Sequence, residues 1–369
     1  MKHESVALPK LSPGLEPRLG IWRFGAGGHG PRIYIQGGLH ADEAPGTLVA
    51  HRLVGKLMAL SPQDILGEIT IIPVANPIGL GQRILGTLIG RFALEDGRNF
   101  NRGYPDCTAD VIARLEGQLG SDERANTASL RAAFAERLSV MPAEPIPAMK
   151  TSLLREAIGA DYVLDLHCDT EAVPHAYTHP ASFERLSGLF RLLGLKAVLV
   201  AEASGDHPFD EAVSGPWQGV RAHFAQHPMT SGGHAATIEL RGQADTGPEL
   251  IERDASAILE FLQHVGAIAG EKPALPDFDL TPTPLAGCGL IPAPASGALS
   301  WHRALGVLVK HGECLAEIID AEHGIAHPVL AECDGLLFAR TNLRQVSAGA
   351  KLGKIAGTET LRAGTLLGP

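Results

Sequence analysis

The segment His40-Ala-Asp-Glu43 places an imidazole and a carboxylate three positions apart. It follows the strand-like run 32–36 and two glycines, and it leads into an apolar-periodic run from Ala44 to Leu60. Side chains with this spacing at a strand-to-helix turn can point at one spot. A second histidine, His167, ends another strand-like apolar run. Two imidazoles and one glutamate form the ligand set of hydrolytic zinc sites, which keep one position open for water.

We therefore predict one Zn²⁺ per chain, with His40, Glu43 and His167 as its ligands. Zinc in such a site lowers the pKa of its water to roughly 7, so that hydroxide is available at neutral pH. Asp165 lies one strand pleat before His167 on the same face and could orient its imidazole. Two alternatives stay open: His40 and Glu43 are a chance pair at a helix start, and Asp165 is a buried carboxylate that caps a turn.

A third carboxylate, Glu239, lies in or at the end of the late apolar strand Thr237–Arg241. A charge in that position is costly unless it is paired or functional. We predict that Glu239 is the general base that takes a proton from water and later protonates the leaving amine. The alternative is an ordinary edge-strand carboxylate.

The polar loop from Arg91 to Arg102 contains three arginines and two asparagines. Arginine binds carboxylates through a planar two-pronged contact, so an Asn and an Arg side by side could hold the carboxylate of an acyl amino acid. A further arginine could stabilise the oxyanion that develops on a scissile carbonyl. The alternative is a solvated, charged loop.

Strand-like runs alternate with helical patterns through most of the first 270 residues, which predicts an α/β sandwich with a mainly parallel sheet. The predicted strands are Ile33–Gln36, Glu68–Val74, Tyr162–Leu166, Ala197–Ala201 and Ala236–Leu240. The predicted helices are Gly46–Leu60, Ser152–Ile158, Ser182–Leu193 and Pro248–Val265. Functional residues of such sheets gather where strands end, and His40, Asn76 and His167 all have this position.

The chain divides into a predicted catalytic domain at 1–272, a Pro-rich acidic linker at 273–284 and a small all-β domain at 285–369. The catalytic domain contains an insertion at about 105–150, with a predicted helix around Thr127–Leu138. This insertion is interpreted as a surface excursion, with a lid as the alternative.

Composition excludes several classes of function. The formal charge of −10 and the pI near 5.9 argue against a nucleic-acid surface. The five scattered cysteines argue against disulfides or a thiolate zinc cluster and favour a reducing compartment. Neither a signal-peptide core nor an apolar stretch of membrane-spanning length is found, so we predict a cytoplasmic protein without membrane contact.

Together these segments resemble the succinylglutamate desuccinylase/aspartoacylase family, a branch of the zinc carboxypeptidase-like (M14-type) hydrolases. The resemblance runs from about residue 30 to 265, and the C-terminal part resembles the β domain of these proteins. The matching segments, in the order of the family, are Gly37–Glu43, Asn76-Pro77, Arg91 with Asp96–Arg102, Asp165–His167 and Thr237–Glu239. The residues that follow His167, Cys168–Glu171 and Val173–Tyr177, depart from the well-characterised deacylases and indicate an uncharacterised bacterial subgroup.

The resemblance implies an αβα carboxypeptidase-like fold with one zinc. It implies that Arg91 polarises the substrate carbonyl and that Asn101 and Arg102 grip the substrate carboxylate. Glu239 matches the catalytic glutamate, and the three predicted ligands match those of the family. Arg98 lies where the pattern tolerates other residues.

The predicted activity is zinc-dependent hydrolysis of the amide bond of a small N-acyl amino acid. Two alternatives are a carboxypeptidase or amidase that acts on short peptides or peptide-like compounds, and a non-catalytic, zinc-dependent ligand-binding protein. The acyl group and the oligomeric state, a homo-oligomer included, stay open.

Overall fold

The computed structural model describes residues 1–25 and 30–366, and the predicted β domain therefore ends three residues beyond the described part. The strands of the first 284 residues are β1 (Lys2–Ala7), β2 (Arg18–Phe24), β3 (Arg32–Gly37), β4 (Glu68–Ile72), β5 (Arg83–Ile84), β6 (Thr87–Leu88), β7 (Tyr162–Asp169), β8 (Glu171–Ala172), β9 (His175–Thr178), β10 (Ala197–Val200), β11 (His234–Gly242) and β12 (Pro282–Pro284). The helices are α1 (Ala44–Met58), α2 (Pro77–Leu80), α3 (Thr108–Leu115), α4 (Glu123–Arg137), α5 (Pro145–Ala157), α6 (Phe183–Leu192), α7 (Phe209–His223) and α8 (Pro248–His264). Every strand and helix predicted from the sequence is present, and most ends shift by a few residues. The exception is the helix predicted at Ser152–Ile158, which begins seven residues earlier as α5, because Pro145 occupies the first helical position.

Nine of these strands form one mixed sheet in the order β1-β2-β4-β3-β7-β11-β9-β10-β12. The central strands β4, β3, β7 and β11 are mutually parallel, whereas β1, β2 and β9 introduce antiparallel pairs. Parallel central strands place their carboxyl ends at one edge, where loops can carry functional side chains. The predicted α/β sandwich with a mainly parallel sheet is confirmed.

Successive side chains of a strand pack on opposite faces of the sheet, so the apolar core consists of one cluster on each face. Tyr34 packs on the face covered by α3, α4, α5 and α7, whereas its neighbours Ile33 and Ile35 pack on the face covered by α1, α6 and α8. A strand turns successive side chains to opposite faces, so a run that is apolar throughout requires cover on both sides. The sheet is therefore the middle layer of three.

The segment interpreted as a surface excursion is part of this cover. Leu130 and Phe134 of α4 are fully buried, and α3 and α5 contribute further residues to the same core cluster. The interpretation of this segment as a surface excursion is therefore wrong. The outer faces of these helices are charged, and the apolar face that packs against the core consists of only a few residues in each helix.

The C-terminal residues form two antiparallel sheets around a separate core. Their strands are β13 (Cys288–Pro292), β14 (Gly297–Trp301), β15 (Leu308–Val309), β16 (Cys314–Asp320), β17 (Ile325–Leu330), β18 (Gly335–Arg340), β19 (Gln345–Val346) and β20 (Lys351–Ala356). The domain limits at 272 and 285 stay a prediction, because β12, from the predicted linker, pairs with β10 in the large sheet.

The segment after His167 connects the two sets of sheets. Strand β8 pairs with β18, and the backbone N–H of Val173 donates to Phe338. Glu171 accepts hydrogen bonds from Arg340 (2.7 Å) and Arg344 (2.6 Å). The segment after His167 thus holds the β sheets against the large sheet.

Candidate metal centre

The turn that carries His40 and Glu43 is formed by close backbone packing between β3 and α1. A Cβ on Gly37 would lie 2.4 Å from the carbonyl oxygen of Gly46, and a Cβ on Gly46 would lie 2.2 Å from that of Leu166. Glycine at both positions lets the start of α1 rest directly on the ends of β3 and β7. His167, near the end of β7, is thereby brought next to the turn.

Glu43 lies between two imidazoles. Its Oε1 is 2.8 Å from His40 Nδ1, and its Oε2 is 2.8 Å from His167 Nδ1. One ligand atom from each of the three residues lies within 4.8 Å of the other two, and all three side chains are buried. The structure therefore brings the three predicted ligands together, although 124 positions separate Glu43 from His167.

Asn99 determines the tautomer of His40. The Nε2 of His40 lies 2.8 Å from Asn99 Oδ1, which also accepts the backbone N–H of Asn101 at 2.8 Å. Because this amide oxygen can only accept, Nε2 carries the proton and Nδ1 turns its lone pair to Glu43. Arg91 supports this assignment, because its guanidinium can only donate and lies 3.2 Å from His40 Nδ1. The sequence analysis missed this role of Asn99.

His167 is held by a chain of polar side chains that runs under the sheet edge. Its Nε2 lies 2.9 Å from Asp165 Oδ2, and the other oxygen of Asp165 accepts from Gln36 at 2.9 Å. Gln36 in turn accepts from the hydroxyl of Tyr34 at 2.7 Å. A carboxylate behind a ligand imidazole fixes the ring and makes its free nitrogen a better metal ligand.

The charges of the cluster differ among its members. Burial lowers the pKa of His40, which is therefore neutral at neutral pH. Burial has the same effect on His167, but Asp165 and Glu43 outweigh it and hold its pKa well above the usual value. Despite burial, the two imidazoles hold the pKa of Glu43 well below its usual value.

This donor set fits a divalent metal ion. Both His Nδ1 atoms face an ionised carboxylate, and two acceptors at this distance require a proton or a metal between them. Two nitrogens and one carboxylate oxygen, with oxygen acceptors behind both rings, are the ligands that zinc prefers in hydrolytic sites. A metal that bound here would displace the proton of His167.

Arg91 and the turn that follows it border the cluster. The Arg91 guanidinium donates to Glu43 Oε1 at 3.0 Å, and its side chain is 44% exposed. Asn101 is buried, and its Oδ1 accepts the backbone N–H of Phe209 at 2.8 Å, which ties the loop to the start of α7. Arg98 points into solvent, where it is far from any contact with the cluster.

Glu239 lies beside the cluster because β11 and β7 run parallel, with Glu239 in register with His167. Its Oε2 is buried, and no hydrogen-bond partner for it exists among the described residues. Burial, together with Glu43 and Asp169, raises the pKa of Glu239 to about 8. A carboxyl group with this environment can exchange a proton near neutral pH.

These residues share one cavity of about 70 Å³. Its walls include every predicted site residue except Glu43, which lies behind the two histidines. The wall also includes polar residues that were not predicted as site residues, among them Tyr177, Lys354, Asp210 and Glu211. Lys354 comes from β20, and its Nζ lies 2.6 Å from Asp169 and 3.5 Å from the hydroxyl of Tyr177. Their distance from the motifs in the sequence explains why they were missed.

Two residues of the segment after His167 are buried within strands of the large sheet. Cys168 is buried, as expected for a strand residue that faces away from its neighbour. His175 is buried within β9 and contacts the carbonyl of Val173 at 2.9 Å, so it neither lines the cavity nor lies in a solvated loop. His175 is buried because β9 pairs with β10 on one side and with β11 on the other.

Comparison with known proteins agrees with this geometry. The sequence profile of the Succinylglutamate desuccinylase/Aspartoacylase catalytic domain matches residues 29–265. No curated protein matches the sequence. Among the described residues, no helix combines the length and the apolar character that a bilayer crossing requires.

Solved structures share the fold across the whole chain. A candidate succinylglutamate desuccinylase/aspartoacylase from Shewanella frigidimarina is 22% identical with a TM-score of 0.87, and covers 96% of this chain and 97% of its own. A candidate family protein from Shewanella amazonensis is 24% identical with a TM-score of 0.84, over 96% and 98% of the two chains. The ectoine utilization protein EutE (DoeB) from Ruegeria pomeroyi is 18% identical with a TM-score of 0.67, over 97% and 95%. The profile match covers well over half of the sequence, and the chain therefore belongs to the succinylglutamate desuccinylase/aspartoacylase family.

Proposed function

We propose that this protein is a zinc-dependent hydrolase that cleaves the amide bond of small N-acyl amino acids. The observation that carries the proposal is the orientation of the two imidazoles. Both turn Nδ1 toward one carboxylate, while an oxygen holds each Nε2. Membership of a family of deacylases supports an enzyme that acts on amides.

His40, Glu43 and His167 would hold the metal. Zinc, when bound, would act as a Lewis acid and make hydroxide available from water near neutral pH. The remaining steps belong to side chains of the chain itself.

Glu239 is the proposed proton carrier. Its carboxyl lines the cavity beside His167, and a pKa of about 8 lets it take a proton from water and return it to the departing amine. Arg91 faces the same space and would stabilise negative charge on the carbonyl oxygen. Asn101 and Arg102 would hold the substrate carboxylate, since a guanidinium binds carboxylates through a charged hydrogen bond.

The cavity favours small substrates over long peptides. Its volume is about 70 Å³, and a larger cavity of about 460 Å³ between the two sets of sheets shares Arg91, Tyr177, Glu239 and Lys354 with it. An acyl group of a few atoms fits the first space and could extend into the second. A carboxypeptidase or amidase that acts on dipeptides would use the same residues.

Removal and restoration of the metal tests the proposal. We expect protein treated with a chelator to lose amide hydrolysis and to recover it with one equivalent of Zn²⁺, in a screen of N-acetyl, N-succinyl and N-formyl amino acids and dipeptides. Glu239→Gln should keep the metal and lower kcat by about 10²–10⁴-fold, because it removes the proton carrier alone. Activity that ignores both treatments would refute the proposal, as would tight ligand binding without turnover.

A further inference from the structure

The Asn101–Tyr104 turn, which carries Arg102, separates two cavities. On one side lies the cavity of about 70 Å³ beside the metal cluster, and Arg102 lines it together with Asn101. On the other side lies a cavity of about 1000 Å³, which Arg102 also lines, together with Gly103 and Lys150. A turn with open space behind it needs contacts from outside to keep its place, and a displacement of about 1 Å at a binding group can lower a rate about 100-fold.

The segment that precedes α7 holds one side of this turn. The backbone N–H of Gly103 donates to the carbonyl of Asp206 at 2.6 Å. That of Tyr104 donates to the carbonyl of His207 at 3.1 Å. Asp206 and His207 both adopt left-handed backbone conformations, with φ of 57° and 46°. Such conformations cost free energy in residues other than glycine and persist only where the surrounding structure holds them, so the turn is firmly fixed from this side.

Lys150 holds the other side of the turn. It belongs to α5, its side chain is buried, and its ammonium donates a hydrogen bond to the carbonyl oxygen of Arg102. The same ammonium lies over the ring of Tyr104, 5.6 Å from the ring centroid. A cation is attracted to the face of an aromatic ring, so one side chain makes two favourable contacts with the turn.

These contacts are made at a cost in free energy. Burial lowers the pKa of Lys150 to about 8, although the carboxylate of Asp96 opposes this shift. The like charges of Arg98 and Arg102 lower the pKa further. An apolar side chain of similar length would fill the same space without this cost, so packing alone does not explain a lysine at this position.

The two residues that would hold the substrate carboxylate depend on the same turn. The guanidinium of Arg102 donates to the carbonyl of Asn101 at 2.7 Å, and Asn101 Oδ1 accepts the backbone N–H of Phe209. A shift of the Arg102 backbone would therefore move both residues relative to the metal cluster.

We propose that Lys150 is a positioning residue, which holds the Asn101–Tyr104 turn in the place from which Arg102 binds the substrate carboxylate. This inference rests on the proposed function and adds to it a residue of α5 that belongs to none of the sequence motifs.

Lys150→Met removes the hydrogen-bond donor and the charge but keeps the length of the side chain. For the N-acyl amino acid that zinc-loaded protein hydrolyses fastest in the screen, we expect KM to rise about 10-fold or more and kcat to stay within about 3-fold. Lys150→Arg keeps a charged donor and should restore KM to within about 3-fold of the wild-type value. The exposed Arg155→Met on the same helix is the control. An unchanged KM, or a fall in kcat alone, would overturn the inference.

A matched pair of compounds shows whether the effect concerns the carboxylate. The second compound is the same substrate with a carboxamide in place of its α-carboxylate. We expect Lys150→Met to change kcat/KM for this compound by less than about 3-fold, because a neutral amide forms no charged contact with Arg102. An equal loss for both compounds would indicate a general disturbance of the site and would contradict the inference.

A double variant tests whether Lys150 acts through Arg102. Arg102→Met removes the side chain that Lys150 is proposed to position. In that background, Lys150→Met should raise KM by no more than about 2-fold, because the effects of residues that act through one another do not add. If the two changes multiply their effects on KM, Lys150 acts independently of Arg102 and the inference fails.

Binding without turnover separates this inference from the proposed function. The N-acetyl amino acids of the screen are titrated by calorimetry into zinc-loaded Glu239→Gln protein, with and without Lys150→Met. We expect the dissociation constant to be about 10-fold higher with Lys150→Met. If the wild-type protein hydrolyses no amide, the proposed function fails, whereas equal dissociation constants, or binding to neither protein, would refute the role of Lys150.

Discussion

The metal cluster and the α7 wall of the cavity solve the burial of charge in opposite ways. In the cluster, each ring nitrogen of His40 and His167 contacts an oxygen, and Glu43 contacts both rings. On the wall, Asp210 is also buried, and burial raises the pKa of its carboxyl to about 7. The two imidazoles of the cluster thus keep the buried Glu43 ionised, whereas the buried Asp210 on the wall keeps a proton up to about neutral pH.

The difference between the cluster and the wall is the one expected between a metal site and a substrate site. A metal ion is a fixed ligand, and its site can be built from residues whose partners hold them rigidly before it binds. A substrate must enter and leave, so its site keeps polar atoms unpaired and accepts a cost in stability. Glu239, with its unpartnered Oε2, lies at the border of the two regions and shares the character of the wall.

The largest effect is expected from the removal of one predicted metal ligand. We expect His167→Ala to lose stoichiometric zinc and to lower activity by about 10³-fold or more, because the two remaining ligands cannot hold the ion. Elemental analysis after gel filtration measures the metal. The exposed His323→Ala is the control, and a His167→Ala protein that keeps one zinc per chain would contradict the cluster as the metal site.

A milder change tests the oxygen that supports a ligand. Asp165→Ala leaves all three ligands but removes the acceptor 2.9 Å from His167 Nε2. We expect the affinity for zinc to fall about 10- to 100-fold, the usual effect of removing such a hydrogen-bond partner, while the variant keeps its fold. Competition with a chromophoric chelator measures the affinity, and an unchanged value would show that Asp165 does not orient the ring.

The β sheets contribute Lys354 to the cavity wall, and replacement of this residue tests how much its ion pair with Asp169 stabilises the fold. Lys354→Met leaves the partly buried Asp169 without its partner, so the free energy of unfolding should fall by about 1–3 kcal/mol. The double change with Asp169→Asn should recover most of this loss, because no charge is then left alone. Urea unfolding measures the free energy of unfolding of each variant. Lys351→Met, at an exposed position on the same strand, should change this free energy little.

The pH dependence of stability tests the wall in the absence of substrate. The pKa of Asp210 is raised from 3.8 to about 7 in the folded protein, so the folded state keeps a proton that the unfolded state has lost. Between pH 4 and 7 this group alone should lower the free energy of unfolding by up to about 4 kcal/mol, with stability greatest at the acid end. Asp210→Asn should remove this decrease in the free energy of unfolding with pH. If plots of this free energy against pH run parallel for the two proteins, Asp210 ionises with an ordinary pKa.

The sequence predicted much of the fold and the metal cluster because their signals are local. The alternation of strand-like and helical runs indicated the three-layer sandwich. His167 and Glu239 lie near the ends of their strands, and His40 and Glu43 lie on the turn that follows β3. Parallel strands end at one edge, so positions distant in the chain could be expected to meet there. The buried stripes of α3 and α4 were missed because helices with strongly charged outer faces resemble solvated segments.

What the sequence determined by itself is the identity of the groups that can do chemistry at the ends of the strands. Only the tertiary structure decided which side chains face them: Asn99 behind His40, Asp210 and Glu211 from the start of α7, and Lys354 from a strand nearly 190 residues beyond His167. These residues belong to no motif, because their contacts arise from the packing of separate layers rather than from spacing along the chain. The cavity lies where these layers meet.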